Sequence, residues 1–187
     1  MLSKQKGKLV AFSAPSGAGK STICNKLLDK HKNLVVSISA TTRSPRIGEK
    51  HGQSYFFLSR EQFQESIDKG EMLEWEEVHG NYYGTLKFLV HEETMEGNNV
   101  LLDIDVNGAI NVKKMYPDTV LIFIKPPSIE ELKRRLEHRG TETDEQIERR
   151  LTRLEYEYKM ADQFDHIIIN ENLEDAILEI EQVLGLY

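Results

Sequence analysis

The chain has 187 residues, of which 39% are hydrophobic and 29% charged, and its formal net charge is −7. This balance predicts one globular folding unit with room for inserted subdomains, and it excludes a disordered or fibrous chain. The negative charge argues against a general nucleic-acid binder, whose affinity depends on Lys and Arg neutralising phosphates. The single cysteine, Cys24, excludes an intrachain disulfide and is typical of a reducing compartment.

The N-terminal segment Met1–Lys8 is polar, and no apolar run long enough for a signal peptide or a membrane span follows it. We therefore expect a cytoplasmic protein whose partners include neither a membrane nor a nucleic acid. The sequence leaves both a monomer and a homodimer open.

Strands and helices alternate along most of the chain. Leu9–Ser13 is an apolar run that ends at a Pro/Gly cluster, which predicts a buried parallel strand leading into a loop. A helix is predicted from Lys20 to about Lys32. Further strands are predicted at 100–105, 120–124 and 167–169, and further helices at 108–115 and 173–184. This alternation indicates the α/β class, with a parallel sheet flanked by helices on both faces.

Two segments interrupt the alternation. Residues 36–90 contain short strands around one helix at 60–69, which predicts an inserted α+β subdomain. Residues 128–159 form two polar helices, the first opened by Ser128 with Glu131 as its capping partner. A polar helical pair between two core strands is a candidate mobile lid. The predicted core is therefore 1–35, 91–127 and 160–187.

A glycine-rich loop joins the first strand to the first helix. It runs through Ala14, Pro15, Ser16, Gly17, Ala18, Gly19, Lys20, Ser21 and Thr22. The loop matches the phosphate-loop pattern at 19–21, with alanine in place of the first glycine. Its backbone N–H groups can curl around phosphate oxygens, so we expect Lys20 to reach the β- and γ-phosphates of ATP and Ser21 to hold Mg²⁺. The alternative is an ordinary glycine-rich turn.

Two carboxylates follow the predicted strand at 100–105. Asp103 and Asp105 are two residues apart, so on a strand their side chains point to the same side. Ligands of parallel sheets bind at the carboxyl ends of the strands, where one carboxylate could organise the Mg²⁺ shell. The alternative is that both residues are strand-end caps facing solvent.

Two arginines, Arg43 and Arg46, stand three apart in a turn-rich stretch, and forked guanidinium groups suit a bidentate grip on phosphate. This signal is weak alone, because loop arginines are usually solvated. It gains weight from an ordered series of motifs that resembles guanylate kinase nearly end to end. These motifs are the phosphate loop, Ser39–Glu49, Glu74-Trp75, Gly80–Thr85, Leu102–Gly108, Pro126–Ser128 and Arg139–Glu142.

The resemblance implies a GMP site within 36–90 and its neighbours. It implies that the GMP phosphate is held by Arg43, Arg46, Tyr55 and Tyr83, and that guanine is read by Ser39, Glu74, Thr85 and Asp105, with Asp103 beside them. The donor pattern agrees, because guanine offers an N1–H and an amino group that carboxylates accept, while hydroxyls can donate to O6. Adenine cannot satisfy the same groups.

The resemblance also implies a catalytic set that closes over ATP. Its members match Lys20, Arg43, Arg135, Arg139 and Arg150, and Asn170 matches a residue near the adenine ring. The implied activity is ATP-dependent phosphorylation of GMP with Mg²⁺ as cofactor, in purine nucleotide metabolism and GMP recycling. Two alternatives stay open: a non-catalytic guanylate kinase-like interaction module and a phosphotransferase with another acceptor.

Overall fold

The computed structural model describes residues 6–78, 80–138 and 144–186, and the side chains of all of these except residues 144–150. The strands among them are β1 (Leu9–Ser13), β2 (Leu34–Val36), β3 (Ala40–Thr41), β4 (Phe56–Phe57), β5 (Met72–Val78), β6 (Asn81–Leu86), β7 (Asn99–Asp103), β8 (Val120–Lys125) and β9 (His166–Ile169). The helices are α1 (Lys20–Lys30), α2 (Arg60–Asp68), α3 (Lys87–Met95), α4 (Val106–Met115), α5 (Ile129–His138), α6 (Asp144–Ala161) and α7 (Leu173–Leu184).

Five strands form the central sheet in the order β2-β7-β1-β8-β9, and every pairing between them is parallel. Successive residues of β1 pack on opposite faces: Phe12 belongs to one apolar cluster with residues of α1 and α7, and Ala11 to another with residues of α3 and α4. This period of two, with apolar residues on both faces, is what a sheet covered by helices requires. The predicted α/β class is confirmed.

The predicted elements of this layer are confirmed with small shifts at their ends. β7 ends at Asp103 and not at Asp105, because Asp105 is the N-cap of α4 and accepts a hydrogen bond from the Gly108 N–H. Two elements were not predicted. β2 has only three residues, and α3 begins after Leu86 without a capping side chain, so neither carries a strong local signal.

A second sheet, in the order β4-β3-β6-β5, lies within the segment predicted as an insertion. It packs against α2 around fully buried Phe63, whose ring stacks on Tyr82 with ring centroids 5.4 Å apart. Ser59 and Gln62 form a reciprocal capping box at the start of α2. The exact division into core, insertion and lid stays a prediction.

The helices α5 and α6 occupy the segment predicted as a lid. Leu132, Leu136 and Leu154 join them in one buried cluster. Ser128 caps α5 as predicted by accepting from the Glu131 N–H, but the Glu131 carboxylate binds Arg134 and Arg135. None of the helices in the described part of the chain is long and apolar enough to cross a membrane.

We expect Phe63→Ala to lower the free energy of unfolding by about 3–5 kcal/mol, because it removes a fully buried ring and leaves a cavity. Urea unfolding followed by circular dichroism measures the change. Phe88→Ala is the matched control, since Phe88 is 54% exposed and we expect a loss below about 1 kcal/mol. Equal losses for the two variants would contradict the packing described for the second sheet.

Candidate nucleotide site

A cavity of about 510 Å³ lies where the carboxyl ends of β1 and β7 face the second sheet. Its lining includes the phosphate loop and six of the predicted acceptor-site residues, namely Ser39, Tyr55, Glu74, Tyr83, Asp103 and Asp105. A larger and more apolar cavity of about 780 Å³ lies near the start of β1 and contains none of the sequence motifs. Strand polarity therefore locates the candidate site better than cavity size does.

The phosphate loop has the backbone that anion binding requires. Gly17 and Gly19 have φ angles of +93° and +94°, which glycine adopts without strain. Gly19 directly precedes α1 and has no side chain that could cap the helix, so the first turn of α1 points its N–H groups and its positive dipole end toward the cavity. An anionic ligand is favoured at this position.

Lys20 and Asp103 form an ion pair across the cavity floor. Ser21 follows Lys20 on the cavity lining. Hydroxyl and carboxylate oxygens are the hard ligands that Mg²⁺ prefers, so Ser21 with Asp103 nearby suits this ion. Cys24 lies buried one turn further along α1, where burial and the Asp103 charge raise the pKa of its thiol to about 12. Cys24 is therefore a packing residue and not a nucleophile.

Glu74 and Thr85 meet because β5 and β6 pair antiparallel with these two residues opposite each other. The Thr85 hydroxyl donates to Glu74 Oε1 at 2.7 Å. The other oxygen, Glu74 Oε2, and Asp105 Oδ1 both lie next to Gly108. If Gly108 had a Cβ, each of these two oxygens would be 3.2 Å from it. Burial, with smaller contributions from Glu76 and Asp105, raises the pKa of Glu74 to about 7.

Asp103 and Asp105 both line the cavity, but the strand geometry predicted for them is wrong. Only Asp103 belongs to β7; Asp105 stands at the start of α4, where its Oδ1 accepts the Gly108 N–H at 2.8 Å. Asp105 is therefore a helix cap and not the solvent-facing strand-end cap of the alternative, because its side chain is only 17% exposed. A residue can cap a helix through one carboxylate oxygen and still present the other to a ligand.

Arg43 and Arg46 lie beside the cavity and not among its lining residues. The Arg43 guanidinium binds Glu49 in a bidentate pair at 2.9 and 3.0 Å and lies over the Tyr55 ring at 5.4 Å. The hydrogen bonds from Arg43 lower the pKa of Glu49 to about 2. Arg46 is exposed, and its backbone N–H also donates to Glu49. Glu49 was not predicted to be the partner of these arginines.

A third cavity, of about 370 Å³, lies on the other side of the phosphate loop, against α5 and the start of α7. Buried Asn170 donates to the Ala18 carbonyl at 2.8 Å, and its side chain comes so close that a Cβ on Gly19 would stand 2.3 Å from Nδ2. Arg135 donates to the Asn170 carbonyl at 3.2 Å and to Glu131 at 2.7 Å. Thr22 also lines this cavity.

Two predicted lid residues cannot be placed. Arg139 lies outside the described residues, and Arg150 belongs to α6 but its side chain lies outside them. Three charged lining residues were not predicted, namely Glu76, Arg153 and Glu157. Glu76 could have been found, because it stands two residues after Glu74 on β5 and so shares its side of the strand. Arg153 gave no local signal among the many charges of α6.

The loop, the all-parallel central sheet and the carboxylate at the end of β7 together define a phosphate-loop nucleotide-binding protein. A crystal structure of shikimate kinase from Bacteroides thetaiotaomicron shares this fold at 16% identity, with a TM-score of 0.52 over 96% of this chain and 99% of that chain. At that identity the likeness concerns the fold alone.

The sequence model of the family described as guanylate kinase matches residues 6–187, so the chain belongs to the guanylate kinase family. A guanylate kinase from Bacteroides thetaiotaomicron is 53% identical over 95% of this chain and 88% of its own length, and one from Clostridium perfringens is 48% identical over 96% and 83%. The crystal structure of guanylate kinase from Anaplasma phagocytophilum is 35% identical, with a TM-score of 0.77 over 99% of this chain and 88% of that one.

Burial of Glu74 has a consequence for stability. With a pKa of about 7 folded and about 4.5 unfolded, Glu74 binds more protons in the folded state, so its contribution to stability is lost as the pH rises from about 4.5 to about 7. We expect Glu74→Gln to raise the free energy of unfolding by about 2 kcal/mol at pH 8, and by less at pH 5. Urea unfolding at both pH values measures this.

Glu77→Gln is the control for this prediction, because Glu77 lies on the same strand with its side chain 48% exposed. We expect its stability to follow the wild type at both pH values, since exposed ion pairs contribute little. A Glu74→Gln variant that is less stable than the wild type at pH 8 contradicts the raised pKa.

Proposed function

We propose that the protein transfers the γ-phosphoryl group of ATP to GMP, giving ADP and GDP, in cytoplasmic purine nucleotide metabolism and GMP recycling. The observation that carries this proposal is the convergence of Glu74 and Asp105 on the cavity that also contains Lys20 and the phosphate loop. Two carboxylates at this position can accept hydrogen bonds from a base with adjacent N–H donors, and the loop can bind the phosphates of a nucleoside triphosphate.

The acceptor base is bound by groups that guanine satisfies. Ionised Glu74 and Asp105 accept from the guanine N1–H and exocyclic amino group, and the Ser39 hydroxyl on the same lining can donate to O6. The single proton of the Thr85 hydroxyl already goes to Glu74 Oε1, so Thr85 orients that carboxylate. Adenine has an acceptor at N1 and no amino group at C2, so it would leave buried carboxylate oxygens unpaired. Discrimination of about 10⁴ is achievable when a buried polar site is left unpaired in this way.

The acceptor phosphate is bound by the aromatic and basic residues next to the base. Tyr55 and Tyr83 line the cavity with their ring centroids 6.2 Å apart. Arg43 has five N–H donors, so it can bind a phosphate oxygen while it keeps its bidentate pair with Glu49. In this arrangement Glu49 orients Arg43, and Arg46 reaches the phosphate from the exposed side of the turn.

The donor nucleotide is bound by the phosphate loop, with Lys20 at the β- and γ-phosphates and Asn170 beside the adenine ring in the cavity of about 370 Å³. Mg²⁺ held by Ser21, with Asp103 nearby, would neutralise charge on the phosphates. We assign Arg135, Arg139 and Arg150 to neutralising charge on the transferring group, as the motif resemblance implies. No side-chain nucleophile is needed, because phosphoryl transfer of this type depends on positioning and charge neutralisation.

Closure of the lid excludes water, which protects ATP from hydrolysis while GMP is the acceptor. The non-catalytic alternative is not favoured, because relatives at 45–53% identity over nearly the whole chain are named as the enzyme. Lys20, Ser21 and Arg135, which an interaction module has no need of, are all present.

The test is a coupled assay of ADP release with AMP, GMP, CMP and UMP, each with and without Mg²⁺. We expect turnover with GMP that depends on Mg²⁺, and little with the other three. Turnover with AMP equal to that with GMP contradicts the acceptor assignment.

Lys20→Met tests the phosphate loop in the same assay. We expect a loss of about 10²–10³ in kcat, because one charge-stabilising group is removed from the transition state. Lys26→Met is the matched control, since Lys26 is an exposed lysine on the same helix, and we expect it to retain wild-type activity. Full activity in Lys20→Met overturns the role given to the loop.

A further inference from the structure

The acceptor side of the large cavity carries a high density of negative charge. Five carboxylates line the cavity, namely Glu74, Glu76, Asp103, Asp105 and Glu157. Its described lining includes two cationic side chains, Lys20 and Arg153, and Lys20 is paired with Asp103. Arg153 is therefore the cation closest to the carboxylates that face the acceptor base. An acceptor nucleotide that carries a phosphate dianion is repelled by such a lining unless a cation offsets it.

Arg153 bridges the lid helix α6 and the start of α4. Its Nη2 donates to Asp105 Oδ2 at 3.2 Å, and its Nε lies 3.2 Å from Glu157 Oε1. The Asp105 and Glu157 side chains are 17% and 15% exposed and the Arg153 side chain is 51% exposed, so these contacts are partly screened by solvent. The charge of Arg153 also favours the ionised form of the neighbouring Glu76 carboxylate, which burial and Asp105 disfavour.

The orientation of Asp105 is set from two directions. Its Oδ1 accepts the Gly108 N–H at 2.8 Å, and its Oδ2 accepts from Arg153. A carboxylate oxygen has two lone pairs, so Oδ2 can keep Arg153 and accept from a ligand in place of the long contact with Asn107 Nδ2 at 3.5 Å. Without Arg153 the carboxylate keeps the Gly108 N–H on Oδ1 and, on Oδ2, only a long contact of 3.5 Å from Asn107 Nδ2. It loses its charged donor and rotates more freely about its terminal bond.

A second, uncharged contact joins the same two helices. Tyr156 Oη donates to Asn107 Oδ1 at 2.6 Å, one turn along α6 from Arg153 and two residues after Asp105. Tyr156 does not line the cavity. Both contacts hold α6 against α4. Arg153 donates to the cavity carboxylate directly and carries a charge, whereas Tyr156 reaches it only through Asn107, whose Nδ2 lies 3.5 Å from Asp105 Oδ2.

Resting on the proposed function, we propose that Arg153 is a positioning residue for acceptor recognition: it holds the Asp105 carboxylate ready to accept from the exocyclic amino group of guanine. The effect of Arg153 then depends on that amino group. Arg153 affects binding of the acceptor and not binding of ATP, and it acts through Asp105.

The experiment measures steady-state kinetics of Arg153→Ala with GMP, with IMP, which lacks the exocyclic amino group, and with ATP. We expect the KM for GMP to rise about 10-fold, as for loss of a charge-assisted hydrogen bond. The KM for IMP rises less, so the preference for GMP over IMP falls. We expect the KM for ATP and the kcat at saturating GMP to stay within about twofold of the wild type.

Tyr156→Phe is the matched control, because it loosens the same pair of helices without removing the charge, and we expect an unchanged GMP preference. Arg153→Lys keeps the charge but not the fork that reaches both Asp105 and Glu157, so its KM for GMP lies between those of the wild type and Arg153→Ala. In an Asp105→Asn background, Arg153→Ala adds no further loss of GMP preference. Urea unfolding and calorimetric GMP binding accompany each variant.

An unchanged GMP preference in Arg153→Ala overturns the inference, as does an equal loss in Tyr156→Phe. An additive loss in the Asp105→Asn background overturns transmission through Asp105. These outcomes differ from failure of the proposed function, in which the wild-type protein itself has no preference for GMP.

Discussion

The parallel pairing of β1 with β7 is the constraint on which the site depends. Its register sets Phe12 opposite Asp103, so that the phosphate loop leaves β1 beside the acidic end of β7. Lys20, which directly follows Gly19 and begins α1, therefore meets Asp103. A shift of one residue would turn Asp103 toward the other face of the sheet, because side chains alternate along a strand. The triphosphate side and the acceptor side of the cavity are joined at this pairing.

The glycines of the phosphate loop are required by packing as well as by backbone conformation. Side chains of α5 approach Gly17 so that a Cβ there would stand 3.0 Å from Leu132 and from Leu136. Asn170, after β9, approaches Gly19 still more closely. The loop is thus held between the lid helix and the end of a core strand. Movement of α5 would be transmitted to the residues that grip phosphate, which suits a lid that closes over a nucleotide.

On the proposed acceptor side of the cavity, burial of Glu74 lowers the stability of the free protein. Glu74 is buried with its Oε1 satisfied by Thr85, yet burial still raises its pKa to about 7. A buried carboxylate with an incomplete set of donors costs folding free energy, and a base that supplies the missing donors restores it. Under the proposed function, the same carboxylate that makes the free protein less stable would make the site selective, as expected where function and stability compete.

Short-range sequence patterns were sufficient to predict the phosphate loop, the main strands of the parallel sheet and α7, because these depend on glycine positions and on apolar periodicity within a few residues. The resemblance of motifs carried most of the acceptor site, including Glu74 and Thr85, which are eleven residues apart and meet only through β5–β6 pairing. The spacing of Asp103 and Asp105 predicted that both lie on a strand. This is wrong for Asp105, because Asp105 is the N-cap of α4.

Tertiary structure alone decided three further features: the pairing of Arg43 with Glu49, the approach of Asn170 to Gly19, and the contact of Arg153 with Asp105. Arg153 and Asp105 are 48 residues apart. No local pattern distinguishes Arg153 from the solvated charged residues of α6. What distinguishes it is that Asp105 lies opposite it in the folded chain. The sequence alone thus determined the class of chemistry at the site, and the fold decided which charges face one another.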